Sequence, residues 1–190
     1  DRAAVVVVSA GEKTIGLSQM DRGGRLSFPR QILIGDGEPL VCEAVDLDGD
    51  GYDELALVSE LEGEMALTLA RPENRKNTDS SWVVLSRTEL TGVKRKPFEI
   101  REVAVFDDNR SGLMIFVPRE APVLLFPEEV DGVVLKEVAQ ASTIRESLLK
   151  DIQPGQGSAF DCDGDGGTEI VVGRSSSGRP LRGEKNSHDK

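Results

Sequence analysis

The feature that most constrains this chain is an acidic, glycine-rich turn that occurs twice in nearly the same form. Residues 44–58 read AVDLDGDGYDELALV and residues 159–173 read AFDCDGDGGTEIVVG, with the equivalent aspartates Asp46 and Asp161 lying 115 residues apart. A degraded copy at 105–117, VFDDNRSGLMIFV, falls between them, its Asp107 61 residues after Asp46 and 54 before Asp161. Residues 5–9 (VVVVS) match the run at 55–59 (LALVS), as a fourth copy that has lost its acidic loop would. Recurrence at a period near 50–60 residues marks a chain built from stacked units, each unable to bury its apolar face alone.

Each copy follows one grammar: a short apolar stretch, the acidic turn, then a β-prone stretch. Further strand candidates fill the intervals, at Leu33 and Ile34 before Gly35, at 65–69 before Arg71 and Pro72, at 82–85, and at 123–126 before Pro127. Short strands punctuated by Gly, Pro, Asn and Asp predict an all-β chain. About four strands per period is the pattern of a β-propeller blade. The expected units are 1–41 (incomplete), 42–101, 102–155 and 156–173 (incomplete), followed by a flexible basic tail at 174–190. One short helix is expected at 143–152, where Ser142 can cap and Ile144, Leu148 and Ile152 recur at helical spacing before Pro154 and Gly155.

About three units do not close a ring, which takes four to eight blades, and an open arc leaves unpaired edges. The start at Asp1, with no signal core or cleavage site ahead of the apolar run at 3–8, reads as a cut. The chain is therefore expected to be a piece of a longer propeller, its remaining blades supplied by that chain or by other copies of this one. A packed, non-propeller β-domain carrying the two acidic loops is the alternative.

Composition narrows the function. With 23 Lys+Arg against 34 Asp+Glu the formal net charge is −11, which argues against nucleic acid and anionic membranes as partners. No apolar run approaches the ~20 residues that span a bilayer, so no membrane insertion is expected. The single histidine, His188, lies in the tail, which leaves the body without a His-based dyad or triad. Cys42 and Cys162 have no CxxC spacing and fall on non-neighbouring units, so neither a zinc site nor a bridge is expected.

The acidic turns have the chemistry of a cation site. Counting from the first aspartate, Asp46, Asp48 and Asp50 occupy positions 1, 3 and 5, Gly51 position 6, Tyr52 position 7 and Glu54 position 9. Asp161, Asp163, Asp165, Gly166, Gly167 and Glu169 repeat that order. A tight loop turns side chains 1, 3 and 5 toward a common centre, and Gly at 6 permits the reversal that aims the carbonyl of residue 7 (Tyr52, Gly167) at it. Each like-charge pair at ~4 Å costs about 4 kcal/mol at an effective dielectric of 20, and a divalent ion reverses that sign. All-oxygen ligation favours Ca²⁺ over Mg²⁺. The EF-hand is excluded, since position 12 is Leu57 or Val172 in a β-prone run instead of a glutamate leading into a helix. In the middle copy Asp107, Asn109 and Ser111 imitate positions 1, 3 and 5 and Gly112 position 6, but position 9 is Ile115, so an empty or weak site is expected.

The pattern Asp-x-Asp-Gly-Asp-Gly-x-x-Glu followed by apolar residues resembles the FG-GAP/VCBS repeat of integrin alpha-type β-propellers and many exported bacterial proteins. The resemblance implies a four-stranded blade with Ca²⁺ in the loop between its first two strands. Residue by residue it carries over to Asp46, Asp48, Asp50, the Tyr52 carbonyl and Glu54, and to Asp161, Asp163, Asp165, the Gly167 carbonyl and Glu169. This chain has Glu where Asp is usual at position 9 and no literal Phe-Gly/Gly-Ala-Pro signature.

Two functions follow from these readings. The first is a non-catalytic binding or scaffold module with a protein or glycan ligand, in a secreted, periplasmic or cell-surface protein where calcium is plentiful. The second is part of a secreted polysaccharide-active hydrolase or lyase whose catalytic residues lie partly outside this chain. The clustered carboxylates are accounted for by metal spacing, Asp107 and Asp108 read as turn formers, and Trp82 reads as packing, so the non-enzyme reading is preferred. Lys94, Arg95 and Lys96 read as a solvated loop.

Overall fold

The computed structural model describes residues 4–9, 11–75, 80–97, 99–105, 110–118, 120, 122–127, 135–138, 157–160 and 169–172. Among them the chain is all-β, with no helix. Strands β1 (Ala4–Ser9), β2 (Thr14–Gln19) and β3 (Arg30–Ile32) form a first sheet, and β4 (Glu38–Val45), β5 (Glu54–Leu61), β6 (Glu64–Pro72) and β7 (Trp82–Glu89) a second. A third contains β8 (Glu99–Val105), β9 (Arg110–Phe116), β10 (Val123–Pro127) and β11 (Leu135–Val138), and β12 (Gly157–Phe160) pairs with β13 (Glu169–Val172). Every strand is antiparallel to its sequence neighbour in the sheet, and no sheet closes on itself.

Local chemistry sets the turns. Between β5 and β6 only Glu62 and Gly63 intervene, both at positive φ (55° and 89°), the two-residue primed turn whose twist matches antiparallel strands. The β4–β5 register slips between Pro39 and Val41, where proline has no N–H to give the ladder. At the end of the first sheet the expected strand at Leu33 and Ile34 is displaced: β3 stops at Ile32, Ile34 is buried and Leu33 is 83% exposed.

The second sheet is the centre of the core because it is covered on both faces. Leu55 and Leu57 of β5 pack with Ile15, Leu17, Ile32 and Ile34 of the first sheet and its following loop. Ala56 and Val58 turn the other way, into a cluster with Ile100, Leu113, Ile115, Val123 and Leu125 of the third sheet. A strand buried on both faces reads as a continuous apolar run, which is why residues 55–58 do not alternate. Each fully buried Leu or Ile contributes roughly 1.5–3 kcal/mol relative to exposure. In the outer strand β7, Trp82 packs against the cluster with the first sheet and Leu85 against the cluster with the third, while Val83 and Val84 are exposed. Beyond the third sheet, Val103, Met114 and Phe116 form a further buried cluster with Leu124 and Phe126. First strands neighbour first strands: β4 lies against β1 and β8, and β8 against β12.

The middle repeat departs from its expected layout. The β8–β9 hairpin closes at Val105↔Arg110, leaving four residues between the strands, so Ser111 and Gly112 lie in β9 opposite Ala104 and Val103. They are strand residues and not positions 5 and 6 of an acidic loop, because the chain turns back before reaching them. Gly112 has a packing role instead: a Cβ there would meet Phe126 Cδ1 at 2.4 Å and the Leu125 carbonyl oxygen at 2.9 Å. Asp107 and Asn109, the helix expected at 143–152 and the tail at 174–190 lie outside the described residues.

Gly112→Ala is expected to lower unfolding free energy by about 1–3 kcal/mol, the cost of forcing a methyl into a filled site. Gly11→Ala, where nothing lies within 4 Å, is the control and should stay within about 0.5 kcal/mol. Urea denaturation of both variants checks the pair.

Candidate metal centre

The acidic turn 46–53 connects β4 to β5 across the closing pair Val45↔Glu54. Its shape begins with Leu47, which is fully buried in the core cluster shared with the third sheet. With Leu47 drawn into the core, its neighbours Asp46 and Asp48 are left on the turn. Gly49 and Gly51, at φ 73° and 84°, then reverse the backbone through a region that side-chain-bearing residues avoid. The reversal points successive N–H groups at the aspartates. Asp50 donates its N–H to Asp46 Oδ1 (3.1 Å) and Asp48 Oδ1 (3.2 Å), Gly51 to Asp46 Oδ2 (2.8 Å), and Tyr52 to Asp50 Oδ1 (2.9 Å). The outcome is a preorganised oxygen cluster: one carboxylate oxygen from each of Asp46, Asp48 and Asp50 lies within 4.8 Å of the others.

Glu54, the first residue of β5, is only 1% exposed. Its Oε2 accepts the Leu47 N–H at 3.1 Å, which fixes the carboxyl beside the segment joining Asp46 to Asp48. Its Oε1 is buried and has no hydrogen-bond partner among the described residues. Burial pushes this carboxyl up to about 7; the Leu47 N–H pulls the other way, and the Asp48 and Asp46 charges add to the rise. Glu54 is not one of the three residues grouped within 4.8 Å. It stands behind them as a buried acid with one free oxygen.

Two arginines that the repeat pattern did not point to complete the neighbourhood. Arg75 brings Nη2 to 2.9 Å from Asp48 Oδ2 and its Nη1 onto Asp50 Oδ2, and Arg71 Nη1 lies 3.7 Å from Asp48 Oδ2. The β5–β6 register explains Arg71, which directly follows Ala70, the partner of Leu55, and so comes level with Glu54. That placement was open to sequence reasoning, since the Glu62–Gly63 turn fixes the register. Arg75 lies beyond β6, past the reach of any strand pattern.

The donor set is all oxygen, suited to a hard cation such as Ca²⁺, and the free Glu54 oxygen is the kind of orphan a cation satisfies. Of the second predicted set, Asp161, Asp163, Asp165 and Gly167 lie outside the described residues. The strands around them are described. Phe160 pairs with Glu169 as Val45 pairs with Glu54, so both acidic turns have eight residues between closing pairs of the same position.

No protein-family model matches the chain, and no curated protein matches it. Among solved structures it is similar to rhamnogalacturonan lyase YesW, at a TM-score of 0.52 and 18% identity, over 84% of this chain and 33% of that one. The chain thus spans about a third of the length of that lyase, and the likeness is one of fold.

Glu54 supplies a pH signature for the ion-free protein. Its folded-state value, about 7, lies above the ordinary 4.5, so between these pH values the folded state holds a proton that the unfolded chain has released. Stability from this group is full below about pH 4.5 and lost as pH rises through 7, a fall of about 3 kcal/mol. In chelator, urea unfolding of the wild type should show this decline and Glu54→Gln should lack it. Equal slopes would count against the buried, protonated carboxyl.

Proposed function

We propose that the chain is a calcium-binding β-propeller repeat module of the FG-GAP/VCBS kind, part of an exported protein, that presents a binding or scaffold surface without catalysis of its own. The observation that carries the proposal is the β4–β5 turn, where three aspartate oxygens converge within 4.8 Å beside the buried, half-partnered Glu54. The identical closing register of the turn at 161–168 supports a second site of the same design, with Asp161, Asp163, Asp165, the Gly167 carbonyl and Glu169 as ligands. The propeller reading draws on the antiparallel sheets stacked face to face and on the neighbouring first strands β1, β4, β8 and β12.

In this reading the ion is structural. It offsets the mutual repulsion of the turn's carboxylates and pins the loop between the first two strands of a unit, so that the blade edges and connecting loops hold a fixed surface for a protein or glycan. Such a site suits a secreted, periplasmic or surface protein, where calcium is abundant. A second reading, part of a polysaccharide-active hydrolase or lyase, has the similarity to a rhamnogalacturonan lyase in its favour. With its catalytic residues partly outside this chain, that reading would replace the scaffold one if a longer protein containing the chain cleaved rhamnogalacturonan and lost the activity on substitutions within the chain.

Calcium that binds only the folded chain stabilises it by RT ln(1 + [Ca²⁺]/Kd) per site, about 2.7 kcal/mol at a hundredfold excess over Kd. The melting temperature should therefore rise between chelator and millimolar Ca²⁺, and an unchanged value would refute the proposal. Equilibrium dialysis should find one ion fewer in Asp48→Ala and in Asp163→Ala, and no loss in Asp108→Ala.

A further inference from the structure

Arg71 and Arg75 occupy the place where a cation would act. Asp48 Oδ2 receives Arg75 Nη2 at 2.9 Å and has Arg71 Nη1 at 3.7 Å, and Asp50 Oδ2 is held by Arg75 Nη1. The fork therefore bridges two of the three aspartates whose oxygens converge. None of these groups is fully open to water: the Arg75 and Arg71 side chains are 25% and 29% exposed and that of Asp48 10%. Partly desolvated charge pairs of this kind are screened less than surface pairs, and a planar guanidinium joins two carboxylates at little further ordering cost. Two carboxyls of the site, those of Asp46 and Glu54, lie out of the arginines' contacts. Glu54, 1% exposed and anchored to the Leu47 N–H, keeps an unpartnered buried oxygen beside Asp46 and Asp48, so the arginines balance the outer part of the site and leave its inner oxygen unsatisfied.

We infer that Arg75, assisted by Arg71, is a built-in counter-ion that competes with the divalent cation for Asp48 and Asp50, so that ion binding requires the guanidinium fork to leave. This rests on the metal reading of the turn proposed above and adds how the site is regulated. Without the ion the arginines keep the aspartates close despite their like charge, and the turn retains a shape ready for ligation. With the ion, the divalent charge takes Asp48, Asp50 and the free Glu54 oxygen together, and the arginines move to the rim. The apparent affinity is lowered by the fraction of molecules in which the fork is closed. The site is thereby set to load at high calcium and to empty, with its turn still folded, when calcium falls.

The exchange has a local reporter. Arg75 lies just after Pro72, which pairs with Trp82, the chain's one tryptophan, and the Glu73 N–H donates to the Ser81 carbonyl at 2.7 Å. Displacement of Arg75 should therefore change Trp82 emission as the ion binds.

The test is calcium titration by calorimetry and Trp82 fluorescence in an Asp163→Ala background, which removes the second predicted loop. Arg75→Gln is expected to tighten Kd about tenfold, the gain from removing a competing charge at contact distance. Arg75→Lys, which keeps the charge without the fork and guards against misfolding of the glutamine variant, should tighten it by less. Arg87→Gln, whose partner is Asp36 at 3.6 Å, should leave Kd unchanged. Binding with the same or weaker affinity in both Arg75 variants would overturn the counter-ion role and leave the metal reading standing. Binding to none of these proteins, with the Asp163 codon restored as well, would overturn both.

Discussion

Like charge held in a small space governs the β4–β5 hairpin. Asp46, Asp48 and Asp50 approach one another because backbone N–H groups of the turn and the forked Arg75 hold them there, against a repulsion of about 4 kcal/mol per pair at contact range. Such a cluster is tolerable only with positive charge in reach. The arginines provide it from the β6 side, and a divalent cation would provide it from within.

The turn is rooted in the core at two points. Leu47 sits in the apolar cluster between the second and third sheets, and Glu54 begins the strand that is buried on both faces. Glu54 spends one oxygen on the Leu47 N–H, so the two roots are bonded to each other. A charge change at the turn therefore acts on β5, the strand that joins both large core clusters. A structural ion placed here would stabilise three sheets by holding one loop. A fold neighbour, a rhamnogalacturonan lyase of which the chain covers about a third, contains a similar arrangement of sheets. Whether binding or catalysis is its task here turns on the site chemistry and not on the fold.

Much of this was legible in the residues. The repeated acidic turn, the short β-prone runs and the placement of the turn between consecutive strands all follow from local spacing, and the strand candidates at 65–69, 82–85 and 123–126 lie inside β6, β7 and β10. The middle copy differs in register from what its spacing implies. Its spacing puts Ser111 and Gly112 in a loop, whereas the hairpin closes at Val105↔Arg110 and pairs both residues with β8, leaving Gly112 packed against the Phe126 ring. The strand expected at Leu33 and Ile34 failed for a similar reason: pairing to β2 ends at Ile32, and only Ile34 turns into the core.

By itself the sequence determined an all-β chain with a repeated glycine-rich turn carrying carboxylates at positions 1, 3, 5 and 9, since these depend on side-chain alternation and backbone freedom within a few residues. Tertiary structure alone decided that Arg75 reaches Asp48 and Asp50, that Glu54 is sealed from water with one oxygen unpaired, and that β5 is covered on both sides. Those facts arise from residues far apart in the chain. The charge state and cation affinity of the site depend on burial and on partners that no local pattern encodes.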